Sequence, residues 1–538
     1  MSGRIRKLLV ANRGEIAVRV FRTCRELGIA TVAVYEPEDS GSLHVRSAGE
    51  QAPVSSYLDA AEYVRASLET GADAVHPGYG FLAESAELAE AVAGAGLTWI
   101  GPPPEALRSG GDKLEAKRIA RGAGVPVLET GEPGTVGFPL LVKAASGGGG
   151  RGMRVVRDAG ELASALEAAR REAASAFGDD TVFCERWLEG ARHVEVQLLA
   201  DAHGAVLALG ERECSVQRRH QKVLEESPSP GVGERLRLEL FDAAVRFGRA
   251  IGYRGAGTAE FLVGGGEFHF LELNARIQVE HPVTEAVTGR DLVADQIRIA
   301  EGARIEPAGP PSGHAIEVRL YAEDPLEFLP QAGRIERLRL PGAIRVDAGV
   351  AQGDEIGTRY DPLVAKLIAH GDTRDEAVSK LRAALGETEV GGLETNLPFL
   401  RWLVAHPAFR AGDTATDFLV RHPPLTPAPD RMLAAPWRGP FRLNLPPPAV
   451  EPPPVDEPGH GHPGSDPLDE ITAPMPGTVI RVLVASGQEV EARDHLVVVE
   501  AMKMEMPLRA PRAGIVRAVH VSEGDTVARG EVLVELED

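Results

Sequence analysis

Apolar and polar positions recur with two different periods along the chain, and the switches between them divide it. Lys7 to Ala11 is a short apolar run, and Ile16, Val20, Cys24 and Leu27 then recur at helical spacing before Gly28. Residues spaced this way share one helix face, and glycine just past the last of them is a C-terminal cap. Ala30 to Tyr35 is a second apolar run. Strand, helix and strand at this length predict a βαβ unit and a parallel sheet, with further units through Trp99-Ile100-Gly101. From about Val125 the texture changes. Pro139 to Ala144 reads as a strand, Ser146 to Gly152 as a glycine-rich loop, Met153 to Arg157 as a strand, and Glu161 to Ala176 as a helix. Alternating strands and turns begin near Arg192, and mixed α and β patterns continue to about Leu419.

The tail has a different pattern. Residues 423–468 hold 15 of the chain's 40 prolines. Runs such as Pro446-Pro447-Pro448 favour extended polyproline II and exclude helices and ladders, so this segment is a linker. At roughly 3.1 Å per residue it spans at most about 140 Å. One more aromatic island, Pro436 to Asn444, interrupts it. Beyond it lies an internal repeat. Ala473-Pro474, Gly477, Val479, Val482, Val484, Gly487, Val490 and Leu496 recur 37 positions later as Ala510-Pro511, Gly514, Val516, Val519, Val521, Gly524, Val527 and Leu533. Alternation with turn glycines predicts two copies of a short-stranded β unit burying their apolar faces against each other. The seam, Glu500-Ala501-Met502-Lys503-Met504-Glu505, is then a protruding hairpin.

Composition narrows the function. A chain of 538 residues suggests three or four domains. The formal charge of −21 argues against a nucleic-acid binder, which needs a basic footprint. Aromatics are 5%, so the cores rely on aliphatic residues. Cys24, Cys184 and Cys214 have no metal-ligand spacing, and so few cysteines fit a reducing compartment, the cytoplasm. No apolar run reaches the roughly 18 residues of a membrane span. The opening MSGRIRKLLVANRGE does not read as a signal peptide.

Two regions carry candidate chemistry. Gly147, Gly149 and Gly152 match G-x-G-x-x-G, but a strand follows rather than a helix, so a dinucleotide fingerprint is excluded. A glycine loop between antiparallel strands still offers backbone N–H groups to phosphates, with Lys143 just before it. Near residues 256–274 a hairpin is predicted, with Gly264-Gly265-Gly266 as its turn. A three-residue turn sets Val263 opposite Glu267 and Glu260 opposite Phe270. Glu260, Glu272 and Asn274 then share a face, with the two carboxylates diagonal neighbours. Two carboxylates and an amide oxygen are hard ligands suited to Mg²⁺ on nucleotide phosphates. Arg276, Gln278 and Glu280 share the same parity, and Gln217 to Lys222 is a dense cationic run suited to anions.

These motifs carry two resemblances. Ala501-Met502-Lys503-Met504 within the duplicated β unit is similar to the biotinyl domains of biotin-dependent carboxylases, over residues 470–538. KLLVANRGE (Lys7–Glu15), HPGYGFLAE (His76–Glu84), Gly111-Asp112-Lys113, KAASGGGGRGM (Lys143–Met153), CSVQRRHQK (Cys214–Lys222), ELNARIQVEHPVTE (Glu272–Glu285) and GHAIEVRLYAEDP (Gly313–Pro325) resemble the biotin carboxylase family, from about residue 5 to about 420.

The resemblance implies an α/β and α+β chain with an ATP-grasp fold. It comprises a Rossmann-like N-terminal domain (1–124), a lid (125–190), the ATP-grasp and C-terminal part (191–422), the linker (423–468) and an all-β biotinyl domain (469–538). It implies that Lys113, Lys143, Gly149, Gly150, Glu185, Leu188, His193, Gln217 and His220 bind ATP. Glu260, Glu272 and Asn274 would hold Mg²⁺ or Mn²⁺. Lys222, Arg276, Gln278 and Val279 would hold bicarbonate. Glu280 would be the base that deprotonates bicarbonate, Arg319 would stabilise the biotin enolate, and Lys503 would carry biotin in amide linkage.

The implied activity is ATP- and bicarbonate-dependent carboxylation of the chain's own biotin, as the α subunit of an acyl-CoA carboxylase. Acetyl-CoA or propionyl-CoA is the expected acceptor, with methylcrotonyl-CoA next. The implied partners are a carboxyltransferase β subunit, a biotin protein ligase and a second carboxylase domain. Three departures stand out. The connection from Pro126 to Lys143 is short for the family. The β domain that often precedes the carrier is reduced to Pro436–Asn444. No carboxyltransferase region is present. A split pyruvate or urea carboxylase and a non-catalytic carrier are the competing readings.

Overall fold

The computed structural model describes residues 3–131, 133–145, 153–177, 179–218, 221–307, 309–326, 328–425, 470–474, 477–492, 494–501, 504–528 and 530–537. The glycine loop with Gly149 and Gly150, His220, Lys503 and the Pro436–Asn444 island therefore lie outside the described residues.

Five parallel strands open the chain, in the spatial order Glu50–Pro53, Ala30–Tyr35, Lys7–Val10, Ala74–His76 and Thr98–Trp99. The helix Gly14–Leu27 buries Ile16, Val20 and Cys24 and ends where Gly28 takes a left-handed φ of 72°. Only glycine adopts that conformation without steric cost, so the cap is written in the sequence.

A small antiparallel sheet follows, ordered Thr130–Gly131, Val182–Arg186, Leu140–Ala144 and Arg154–Val156, with the helix Ala159–Phe177 against it. The centre of the molecule is an eight-stranded sheet. Its order is Glu267–Asn274, Gly255–Gly264, Arg192–Ala200, Val206–Arg218, Gln221–Ser227, His314–Tyr321, Leu363–Gly371 and Arg345–Ala348. At one end Phe247 of the helix Glu234–Ala250 meets Phe270 at 4.5 Å between ring centroids, both fully buried. At the other end Ile316, Val318 and Leu320 pack with Leu381, Phe399 and Trp402. These aliphatic and aromatic contacts fix the strands from which the charged side chains of the site project.

The hairpin register differs from expectation. Gly265 and Gly266 alone make the turn, with φ of 62° and 82°, and Gly264 stays in the strand opposite Glu267. Two glycines with positive φ suit the tight turn that matches strand twist, so a third turn residue is unnecessary. Val263 thus faces Phe268, and Phe261 faces Phe270. A bulge then shifts the register by one, so Glu260 lies directly opposite Glu272 rather than diagonal to it.

The carrier region forms two four-stranded sheets from the two repeats. Gly477–Val482, Glu489–Val490 and His495–Ala501 recur 37 residues on as Gly514–Val519, Thr526–Val527 and Val532–Glu537. Each sheet borrows a short strand from the other repeat: Glu489–Val490 pairs with Gly514–Val519, and Thr526–Val527 with Gly477–Val482. The copies therefore interlock around Val479, Leu496, Val516 and Leu533, all fully buried. Ala501 pairs with Met504 at the end of the seam hairpin, and Met502 and Lys503 fall between them in sequence. No helix among the described residues is long and apolar enough to cross a membrane.

Candidate active site

The site grows from a polar stripe on the central sheet. His193, Glu195 and Gln197 alternate along one strand and face the neighbouring strand of Glu260, with Glu195 directly opposite Glu260. The same alternation that points Val194 and Val196 into the core points these three to the other face.

Glu260 is the hub. His193 Nε2 donates to its Oε2 at 2.7 Å, and Gln217 Nε2 lies 2.7 Å from His193 Nδ1. Lys222 Nζ, Asn274 Nδ2 and Gln278 Nε2 reach Glu260 Oε1 at 2.8, 2.7 and 3.0 Å. Burial alone raises a carboxyl pKa, but Lys222 and His193 overcome it and hold Glu260 well below the usual range.

Lys222 bridges three acids. Its Nζ donates to Glu195 at 2.5 Å, Glu260 at 2.8 Å and Glu280 at 2.7 Å. Burial opposes its charge, but these three carboxylates raise its pKa well above the ordinary lysine value. The carboxylate groupings His193–Glu195–Glu260 and Glu195–Cys214–Glu280 thus already contain a cation, the Lys222 ammonium.

Glu280 precedes the helix His281–Thr288 and receives Lys222 on one oxygen and Arg319 Nη2 on the other, at 2.9 Å. Burial would raise its pKa, but Lys222, Arg319 and Arg212 lower it far below the usual range. Arg276 donates to Asn274 Oδ1 at 2.8 Å and Glu84 at 3.0 Å. Lys366 holds the Val279 carbonyl at 2.8 Å. The expected residues Lys222, Arg276, Gln278, Val279, Glu280 and Arg319 therefore converge on one space beside Glu260, Glu272 and Asn274.

A second cluster lies towards the small sheet. Lys143 donates to Glu185 at 2.6 Å, and Lys117 meets the other Glu185 oxygen. One carboxylate cannot neutralise two buried ammoniums. Burial and the Lys143 charge lower Lys117 well below its ordinary pKa, and burial and the Lys113 charge bring Lys143 to about 7. Lys113 lies 3.3 Å from Glu272 and links this cluster to the hub. Leu188 lies just past the end of the strand Val182–Arg186.

The donor set fits a divalent cation. Glu260 and Glu272 are directly opposed, and Asn274 lies two residues on along the same strand and face. All three carry hard oxygen atoms; those of Glu260 and Asn274 are held by His193, Lys222 and Arg276, and a cation binding there would displace these donors.

Several site residues escaped sequence reasoning. Arg212 is fully buried and bonds Glu195, Gln197, Thr258, Gln278 and Thr284, aligning the stripe. Glu195, Glu225, Glu84, Lys117 and Lys366 were also missed. The alternation of His193, Glu195 and Gln197 within an apolar strand was the available signal for Glu195.

Four family descriptions match the chain in order: "Biotin carboxylase, N-terminal domain" over residues 4–107, "Carbamoyl-phosphate synthase L chain, ATP binding domain" over 117–307, "Biotin carboxylase C-terminal domain" over 317–421, and "Biotin-requiring enzyme" over 469–536. The biotin-dependent acyl-coenzyme A carboxylase alpha3 subunit of Mycobacterium leprae is 42% identical, covering 99% of each chain. The mitochondrial methylcrotonoyl-CoA carboxylase subunit alpha of Oryza sativa subsp. japonica is 46% identical over 78% of this chain, which spans 60% of that protein. Among solved structures, the biotin carboxylase domain dimer of Hydrogenobacter thermophilus 2-oxoglutarate carboxylase, in complex with MgADP, ADP and bicarbonate, matches with a TM-score of 0.77. It is 42% identical over 78% of this chain and 98% of that one.

Proposed function

This chain belongs to the biotin carboxylase family, in the α-subunit form that joins an ATP-grasp ligase to a biotin carrier domain, and on that premise we propose that it carboxylates biotin on its own Lys503 for transfer to an acyl-CoA. The observation that carries this reading is the continuous ion network Glu260–Lys222–Glu280–Arg319, in which an acid with two cations on it lies beside an oxygen-rich face.

Bicarbonate enters among Lys222, Arg276, Gln278 and the Val279 backbone. Before it arrives, Lys222 and Arg319 keep Glu280 ionised and weakly basic. The anion draws those cations onto itself, so Glu280 recovers basicity while the bicarbonate proton becomes more acidic. Glu280 then takes that proton, and the resulting dianion attacks the γ-phosphorus of ATP, expelling ADP and forming carboxyphosphate, which breaks down to CO₂ and phosphate. Lys113 and Lys143 offset charge on the phosphates. Mg²⁺ or Mn²⁺ held by Glu260, Glu272 and Asn274 supplies further counter-charge there. Biotin would supply the ureido nitrogen that exchanges its proton, taken up by the released phosphate, for the carboxyl group, and Arg319 would steady the ureido carbonyl oxygen.

The acceptor is an acyl-CoA: acetyl-CoA, propionyl-CoA or, as methylcrotonoyl-CoA carboxylase relatives favour, methylcrotonyl-CoA. A separate carboxyltransferase β subunit transfers the carboxyl group, a biotin protein ligase loads Lys503, and the carboxylase parts pair as a dimer in the cytoplasm. The test is to capture the partner on the biotinylated chain and assay the complex. Carboxylation of one of these acyl-CoAs is expected; turnover of pyruvate or urea instead replaces the reading.

A further inference from the structure

Behind Arg319 lies a pair of acids that the catalytic scheme leaves unused. Glu225 and Glu317 are directly opposed partners on the adjacent antiparallel strands Gln221–Ser227 and His314–Tyr321. Both are fully buried. Neither carboxylate oxygen of Glu317 has a hydrogen-bond partner among the described residues. Arg319, two residues along from Glu317, forms ion pairs with both Glu225 and Glu280. The guanidinium thus stands between the predicted base and the buried pair.

The surrounding charge does not support two more anions. Lys222 is committed to Glu195, Glu260 and Glu280. Lys366, opposite Arg319 on the next strand, is bonded to Glu15 and the Val279 carbonyl; its charge favours the Glu317 anion but does not outweigh burial. From the packed helix His281–Thr288, Glu285 is tied to Arg19 and Arg345, and His281 adds no compensating charge because burial and Lys366 lower its pKa. Cys214 on Val206–Arg218 is a buried thiol whose pKa burial and Glu195 raise. Two ionised carboxylates opposed in such a place repel with no water to screen them.

We propose that Glu225 and Glu317 share one proton and, as a pair carrying a single negative charge, position Arg319 on the ureido oxygen of the reacting biotin. Burial raises Glu225 to about 7 and Glu317 well above the ordinary value, in keeping with a retained proton. A second charge on the pair draws Arg319 back from Glu280, and loss of the first releases it. Both are positioning residues, because they act through Arg319. The inference rests on the reading that Arg319 faces the reacting group.

Infrared spectra and pH profiles of the full-length protein test it. At about pH 8 the wild type is expected to retain a protonated-carboxyl band, shifted by ¹³C-glutamate labelling and missing in Glu317→Gln. In Glu317→Gln the alkaline limb of kcat for free-biotin carboxylation moves up by about one pH unit or more, because the single-charge state can no longer be lost. Glu225→Gln lowers kcat about tenfold while KM for ATP stays put, because Arg319 loses its counter-charge. The proposal is overturned by a wild type without the band, by a band that survives Glu317→Gln, or by wild-type pH profiles in both variants. The wild-type spectrum decides the proton even where a variant does not fold. Absence of bicarbonate-dependent ATP hydrolysis in the wild type defeats the catalytic reading instead, and leaves the band to decide the pair.

Discussion

Arg319 Nη2 donates to Glu280 Oε2 at 2.9 Å, while Lys222 occupies the other oxygen of the same carboxylate. The predicted base is thus clamped as an anion until substrate competes for its cations. Replacing Glu280 by Gln keeps the shape and removes the proton acceptor. Bicarbonate-dependent ATP hydrolysis is expected to fall about 10²-fold or more in kcat, with KM for ATP unchanged. Steady-state kinetics of a folded variant checks this, and an undiminished kcat removes Glu280 from the role.

Lys503 lies on the carrier, apart in sequence from every group of the carboxylase site. Lys503→Arg is expected to abolish biotin labelling yet leave carboxylation of free biotin intact. Mass spectrometry and a free-biotin assay read the two outcomes separately; loss of both in a folded protein contradicts independent domains.

Glu272 is directly opposite Glu260 but is partly exposed and lightly held, with Lys113 at 3.3 Å. Glu272→Gln removes an anionic oxygen from the proposed metal face. The Mg²⁺ concentration for half-maximal ATP hydrolysis is expected to rise roughly tenfold. An unchanged metal titration assigns the cation elsewhere.

Lys143 has its pKa lowered to about 7 by burial and by Lys113. Before nucleotide binds, the group is mainly neutral above that pH. Phosphates arriving beside it favour the ammonium, so nucleotide binding takes up a proton. Calorimetry at about pH 8 in buffers of different ionisation enthalpy is expected to show this uptake, and Lys143→Arg to lose it. Equal heats in all buffers count against the assignment.

Much of the site was legible from local rules. The Glu260, Glu272 and Asn274 face follows from strand alternation, and the true register strengthens it by setting the two acids directly opposite each other. The register itself was misread because three consecutive glycines leave the turn length open. Packing of Phe261 against Phe270 and the bulge beyond them settle it. Arg212, Glu225 and Glu317 were illegible for another reason. A charged residue within an alternating strand ordinarily faces water, and nothing local reports that the second face is covered too.

The sequence by itself determined the elements, the order of the folded parts, the 37-residue duplication and the motif lysine, because these depend on periodicity, turn chemistry and spacing along one strand or loop. Only the tertiary structure decided which charges meet. Lys222 reaches Glu195, Glu260 and Glu280 across 27, 38 and 58 residues of chain. Such contacts arise from strand pairing and from burial that removes water as a competitor. The same burial raises both Glu225 and Glu317 above the ordinary carboxyl range.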